Sequence, residues 1–491
     1  MTRAGALPWP AWPGIGIAIL VACVWLNQSI GASEWEAYRE RASSPTANWV
    51  DSVRYTFACL YRRAGDEQLY FESANMILGR PADTEFIRRE RGEVPPEFVS
   101  TFPPADGKWH IPYAEVPLEY PAMALPLIVG PRLLVSSLRG FGFVFGGLMG
   151  LCLVGAIAAA LDAARTAGTD ARGLRTRAWL ASGLLLAQGA MAVQRLDAVT
   201  ALWIALAVRA AVRRQPFALG AWMGLAVATK IVPALILPAL LAADAGEWRS
   251  SGSKVLRRHG DAASSTSARP RTRFALGFAA TLVAGLGPMF LFSPHALANV
   301  IAYHAARGLQ CESLLGFVLA TVRLVTGTRM PSTLSFGSSN LGGHAADALA
   351  GICGPLSIAA SLGLGWFVWR VRPKDDGPDA AQGTQRVACA ALAALVVMWL
   401  TGKVLSPQYM TWGLPVVLAI PALLGIRLTW LMMATMAVTQ CYICGHNDLV
   451  VQGSALGLLN LGVRQAMLAV VGYLAVRSLS LRSAHAPSSV T

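Results

Sequence analysis

Charge is scarce in this chain. Asp, Glu, Lys and Arg make up 14% of its 491 residues, against 54% hydrophobic residues. With a positive mean hydropathy, that excludes a disordered or ordinary soluble protein and points to a polytopic membrane protein. Carboxylates are the scarcer sign, 27 against 41 Lys and Arg, for a net charge of +14. The basic residues form no stripe or face. They sit in short clusters between apolar runs, the positive-inside pattern, which argues against a nucleic-acid partner. Cysteine is sparse too: eight residues with one CxxC, Cys441 and Cys444, beside His446 and Asp448. A metal site would need more ligands at recognised spacing, and no second CxxC exists, so the pair reads as packing at a helix end. No internal repeat of the transporter kind is visible.

The few carboxylates are concentrated. Fifteen of the 27 lie between Gln28 and Glu119, in the largest polar interruption of an otherwise apolar sequence. Before it, Pro13–Leu26 reads as an uncleaved first helix, since no clean small-x-small cleavage site follows. Residues 28–119 then form a first extracytoplasmic loop too long to lack structure of its own. An amphipathic helix is expected over Asp66–Leu78, with Tyr70, Ala74 and Ile77 on one face at the membrane interface. Glu119–Pro131 is short and punctuated by Pro121, Pro126 and Pro131, so it reads as an interfacial or re-entrant helix.

From Phe141 onward apolar runs alternate with basic clusters. Crossings are expected at Phe141–Leu161, Trp179–Val193 and Ala198–Val208. Phe217–Ala243, interrupted by Lys230 and Pro233, reads as a pair of short or broken helices. Later crossings fall at Phe274–Leu291, Leu349–Trp369, Val387–Leu400, the run through Leu424, Leu428–Cys444 and a last span before Arg477. Residues 244–273 and 371–386 read as flexible cytoplasmic loops, and 478–491 as a cytoplasmic tail. The expected fold is a single all-α integral membrane domain of about 12 transmembrane helices, within a range of 10–13, with both termini cytoplasmic.

This topology collects the polar residues on one external surface. A carboxylate there suits a general base, cations suit a phosphate, and the apolar walls of a bundle suit a lipid tail. A transporter or flippase fits composition and spacing equally well. Simpler roles also fit single residues. Asp66 reads as a helix N-cap, Arg195 and Asp197 as an ion pair at headgroup level, and His304, Arg307 and Cys311 as one polar helix face. Lys403 reads as a snorkelling side chain, and the fifteen tryptophans as belt residues. Lys230 resists such a reading, because a charge between apolar runs is costly.

Seven elements then occur in a familiar order. They are GDEQLYFESANMILGRP at Gly65–Pro81, EYP at Glu119–Pro121, QRLD at Gln194–Asp197, GLAVATKIVP at Gly224–Pro233, YHAARGLQCESLLG at Tyr303–Gly316, GSSN at Gly337–Asn340 and GKVLSPQYMTW at Gly402–Trp412. Together they resemble glycosyltransferase family 87, the polyprenyl-phosphate-mannose-dependent mannosyltransferases of the GT-C fold, over roughly residues 60–425. The resemblance implies a bacterial cytoplasmic-membrane enzyme moving a hexose, mannose in the family, from a polyprenyl-phosphate donor to a lipid or glycan hydroxyl, with inversion. It implies Asp66 as catalytic base, and Glu67, Tyr70, Glu119, Tyr120, Arg195, Asp197 and Lys230 around the substrate. His304, Arg307, Glu312, Lys403, Gln408 and Tyr409 would complete the donor pocket. No Asp-x-Asp run lies outside, so neither a metal nor another cofactor is expected. The sequence departs from the family where Ala122 follows Pro121 and in the long acidic connection Asp83–Glu119. Glu67, Asp51 and Glu115 stand as competing bases.

Overall fold

A computed structural model describes residues 16–17, 65–92, 94, 102–244, 270–328, 331–372, 380–441, 450 and 454–480. Most of the expected first helix, Asp51, the connections 245–269 and 373–379, Cys444, His446, Asp448 and the tail from 481 lie outside the described residues. Helix α1 (Gly65–Ile77) and α2 (Thr84–Arg91) precede α3 (Leu125–Leu134), α4 (Leu138–Thr166), α5 (Ala171–Gln188), α6 (Asp197–Val212) and α7 (Pro216–Thr229). After these come α8 (Pro270–Phe292), α9 (Ala296–Ala306), strand β1 (Leu309–Gln310), α10 (Leu314–Thr326), β2 (Ser332–Ser335) and β3 (Ser338–Leu341). The chain closes with α11 (His344–Arg370), α12 (Ala380–Thr401), α13 (Met410–Ala419), α14 (Ala422–Cys441) and α15 (Ala455–Ser480).

Six helices among the described residues are long and apolar enough to cross a membrane: α4, α8, α11, α12, most of α14, and α15. The sequence reading counts twelve crossings. Several of the other expected spans are helices of lesser reach: α6 has 16 residues and α7 has 14. At about 1.5 Å per residue these fall short of a hydrocarbon core of about 30 Å. Both pack closely on neighbouring helices, α6 on α4 and α7 on α8. Phe217–Ala243 is broken as expected: α7 stops at Lys230, whose backbone is extended, and Pro233 opens a 3₁₀ turn (Val232–Ile236). Helix α12 is the hub, with 78% of its apolar window buried against 17% for α8. The large apolar side chains of α8 and α11 that point outward, such as Leu291 and Trp366, form a surface suited to lipid.

Two expectations are corrected here. Tyr70, Ala74 and Ile77 do share a face, but it is buried in protein, α1 packing on α3 and α4, and so does not lie on a membrane interface. The fold is also not purely helical. The GSSN element and its flanks form β2 and β3, which with β1 make a three-stranded antiparallel sheet in the order β1-β3-β2. A two-residue turn, Phe336–Gly337, joins β2 to β3 with φ of 53° and 67°, the left-handed pair a tight hairpin demands.

Candidate active site

Where α1, the α7 break, α9 and the hairpin tip converge, they enclose a cavity of about 320 Å³. That falls within the range of about 300–1,000 Å³ usual for small-molecule sites. Ten of the fourteen expected site residues line it. Asp66 and Arg195 occupy one wall, and Glu119 and Tyr120 the next. Lys230 stands at the helix break, with Gln408 and Tyr409 beside it. His304, Arg307 and Glu312 complete the group.

The other four have different places. Tyr70 stands behind the wall, its hydroxyl 3.2 Å from that of Tyr120. Asp197 is fully buried and accepts both Lys230 Nζ, at 2.9 and 3.0 Å, and Trp412 Nε1, at 2.8 Å. Glu67 is buried and not on the wall, so it does not compete with Asp66 there. Lys403 does not snorkel. Its Nζ donates to the carbonyls of Ala305 and Arg307 at 2.7 and 2.8 Å, which fixes the turn presenting Arg307.

Ion pairing overturns the simpler roles. Arg195 pairs with Asp66, and Asp197 pairs with Lys230, so Arg195 and Asp197 are not each other's partners. Helix α9 ends at Ala306, which removes Arg307 and Cys311 from any helix face shared with His304. The Lys230 ammonium sits 5.3 Å from the Tyr409 ring centre and 5.8 Å from those of Tyr120 and Trp412. Three π faces and one carboxylate thus stabilise a charge that burial alone would penalise. Glu312 receives Arg464 Nη1 at 3.0 Å, while its carbonyl accepts Arg464 Nη2 and Gln465 Nε2.

Nε of Arg195 and Nε of Arg307 have no hydrogen-bond partner among the described residues, and both residues line the cavity. Those two atoms are closed off from solvent, so what the residues bring to the cavity is charge: with Lys230 they make three cations on one wall system, which suits an anion.

Glu119 is the other carboxylate at the centre. Burial pushes its pKa up, but Arg91, a hydrogen bond from Tyr303, Arg307 and His304 together hold it below the usual carboxylate value. His304 is shifted the opposite way. Burial first, then the Arg307 charge, lower its pKa to about 4, against a partial lift from Glu119. Its ring Nε2 lies 3.1 Å from the Glu119 carbonyl, which fits a neutral imidazole donating there.

The unfolded chain therefore binds a proton at His304 below about pH 6.5 that the folded chain refuses until about pH 4. Folding stability should fall as pH drops through that window. Thermal unfolding in detergent at pH 7 and pH 4.5 checks this, and His304→Gln should flatten the dependence.

Arg91, Tyr303, Trp412 and Arg464 are the site residues that sequence reasoning did not single out. Arg464 carried a usable signal, a cation inside a long apolar helix. Arg91 carried none, since it closes the run TEFIRRER, which reads as a solvated face. It is placed by Gly92, whose φ of 62° and ψ of −140° are nearly glycine-only and whose backbone bridges Ser335. A Cβ at Gly92 would overlap the Leu334 carbonyl. Gly92→Ala should cost about 1–3 kcal/mol and loosen Arg91, readable as a lower unfolding midpoint.

No family model, curated protein or solved structure matches the chain.

Proposed function

We propose that the protein is a membrane glycosyltransferase that takes a hexose, mannose by the resemblance, from a polyprenyl-phosphate sugar. It passes that sugar to a lipid or glycan hydroxyl. On this reading the chain is a GT-C-like bundle of about 12 crossings in a bacterial cytoplasmic membrane, with both termini inside and the cavity at the outer face. The observation that carries the reading is a group of three cations, Arg195, Lys230 and Arg307, lining one cavity with the carboxylate of Asp66. A phosphate pairs with such cations, and a carboxylate can accept a proton nearby.

The step follows from those groups. Asp66 takes the acceptor's hydroxyl proton, and the acceptor oxygen bonds to the anomeric carbon. The bond from that carbon to the phosphate oxygen breaks, its electron pair leaving on the phosphate. Arg195 and Arg307 hold the phosphate as its charge grows, and Lys230 adds positive potential. Attack opposite the leaving group inverts the configuration. Phosphate leaves without a general acid, so no metal or cofactor is invoked.

The test is incubation of purified protein with radiolabelled polyprenyl-phosphate sugars and a native lipid extract. Labelled sugar should appear on an acceptor, with inverted configuration by NMR. Absence of transfer from every donor, with labelled lipid instead moving across a vesicle membrane, would establish a transporter or flippase.

A further inference from the structure

Asp197 is buried and does not line the cavity, whereas its partner Lys230 stands on the cavity wall. Both carboxylate oxygens are engaged. Oδ1 accepts Lys230 Nζ at 3.0 Å and Trp412 Nε1 at 2.8 Å, and Oδ2 accepts Lys230 Nζ at 2.9 Å. The resemblance counts Asp197 among the residues around the substrate. In this fold it reaches a molecule in the cavity only through the lysine.

Local structure explains why the pair forms here. Asp197 is the first residue of α6, the helix end that favours an anion, and Lys230 directly follows α7, at the end that favours a cation. The two helices pack on each other, which brings those ends together. A third element locks the carboxylate: Trp412, on α13, is fully buried and gives its single N–H to Asp197. The ammonium has three N–H donors, and a free lysine stem can aim them in many directions. Two donors on one carboxylate fix the direction of the third. Among the described residues that third donor has no oxygen or nitrogen acceptor.

We propose that Asp197 is a positioning residue. It holds the Lys230 ammonium so that the remaining N–H meets an oxygen of an anion in the cavity, and Trp412 holds Asp197 in turn. The inference rests on the anion-binding part of the reading above and deepens it. A counter-ion and a positioning residue differ in the sign of what their loss does. If Asp197 only balanced the lysine charge, Asp197→Asn would leave the cavity more positive, and an anion would bind more tightly. If it positions the lysine, binding weakens instead, because asparagine offers one oxygen in place of two and sets an NH₂ against the ammonium.

The experiment is a binding measurement that does not need catalysis. Full-length protein in detergent is titrated with farnesyl phosphate by calorimetry, with farnesol as the uncharged control. Asp197→Asn should weaken binding by about tenfold, the loss expected for one hydrogen bond between charged groups. Lys230→Gln, which keeps a donor for Asp197, should weaken it at least as much. The double variant should bind no more weakly than Lys230→Gln alone, because nothing remains to be positioned. General loosening of the fold would instead multiply the two losses, and that result overturns the proposal. So does unchanged or tighter binding in a folded Asp197→Asn protein. If Asp197→Asn does not fold, Trp412→Phe takes its place, keeping an aromatic face and losing the bond to Asp197. A fall of roughly threefold is then expected, absent in the Lys230→Gln background, and undiminished binding overturns the proposal. If the wild-type protein binds farnesyl phosphate no better than farnesol, the anion site and the proposal fall together. If the expected pattern appears while no donor yields sugar transfer, the positioning role stands and the transferase reading falls.

Discussion

Asp66→Asn should leave the protein folded and able to bind donor, while sugar transfer falls by roughly 10²–10⁴-fold, the range for loss of a positioned general base. Asparagine keeps the size of the side chain and an oxygen that can still accept from Arg195, the present partner of Asp66. What it loses is the capacity to take a proton. Part of the change is electrostatic, because Arg195 would then face the cavity without a counter-charge and hold an anion more tightly. Donor affinity should therefore hold or rise as transfer collapses, a split that misfolding would not produce. Retained donor retention with near-wild-type transfer would remove Asp66 from the chemistry and move attention to Glu119. That carboxylate lines the same cavity, and Arg91, a hydrogen bond from Tyr303 and Arg307 hold its pKa below the usual value despite burial.

Arg464→Met should be the most destabilising single change at the site. Arg464 is fully buried, and it donates to both the carboxylate and the carbonyl of Glu312. Removing one partner of a buried pair leaves the other charge uncompensated, a loss of about 3–5 kcal/mol. Methionine fills much the same volume, so a cavity contributes little to that figure. Combining it with Glu312→Gln removes the stranded charge and should recover much of the loss. Thermal unfolding of the single and double variants measures the coupling directly. A double variant no more stable than Arg464→Met alone would mean that the hydrogen bonds to the Glu312 carbonyl, and not the charges, hold α15 in place.

Several of these features were legible in the sequence for physical reasons that can be named. A lysine inside an apolar run, three residues before a proline, signals a broken helix, and Lys230 sits at such a break. Gly65 and Asp66 at the head of a 3.6-residue pattern signal α1. The destination of its apolar face was not legible, because one stripe of that period suits a membrane interface and a protein core alike. Pairing was equally hidden. Arg195 and Asp197 stand two apart in sequence, yet Asp197 opens a helix that aims it at Lys230, 33 residues on. The hairpin escaped notice because Ser, Gly and Asn read as loop, and nothing in the sequence marks Phe336 as left-handed. Gathering these polar residues into one cavity depends on contacts between distant segments, and local pattern does not encode these.

The bond between Glu312 and Arg464 also sets an order of events during synthesis. Their positions are 152 residues apart in the chain. At about 5–20 residues per second, a ribosome exposes Glu312 for roughly 8–30 seconds before Arg464 exists. Through that interval the carboxylate has Gln310 Nε2 as a partner but not the charge that α15 brings. The last long helix is then the piece whose arrival closes the site.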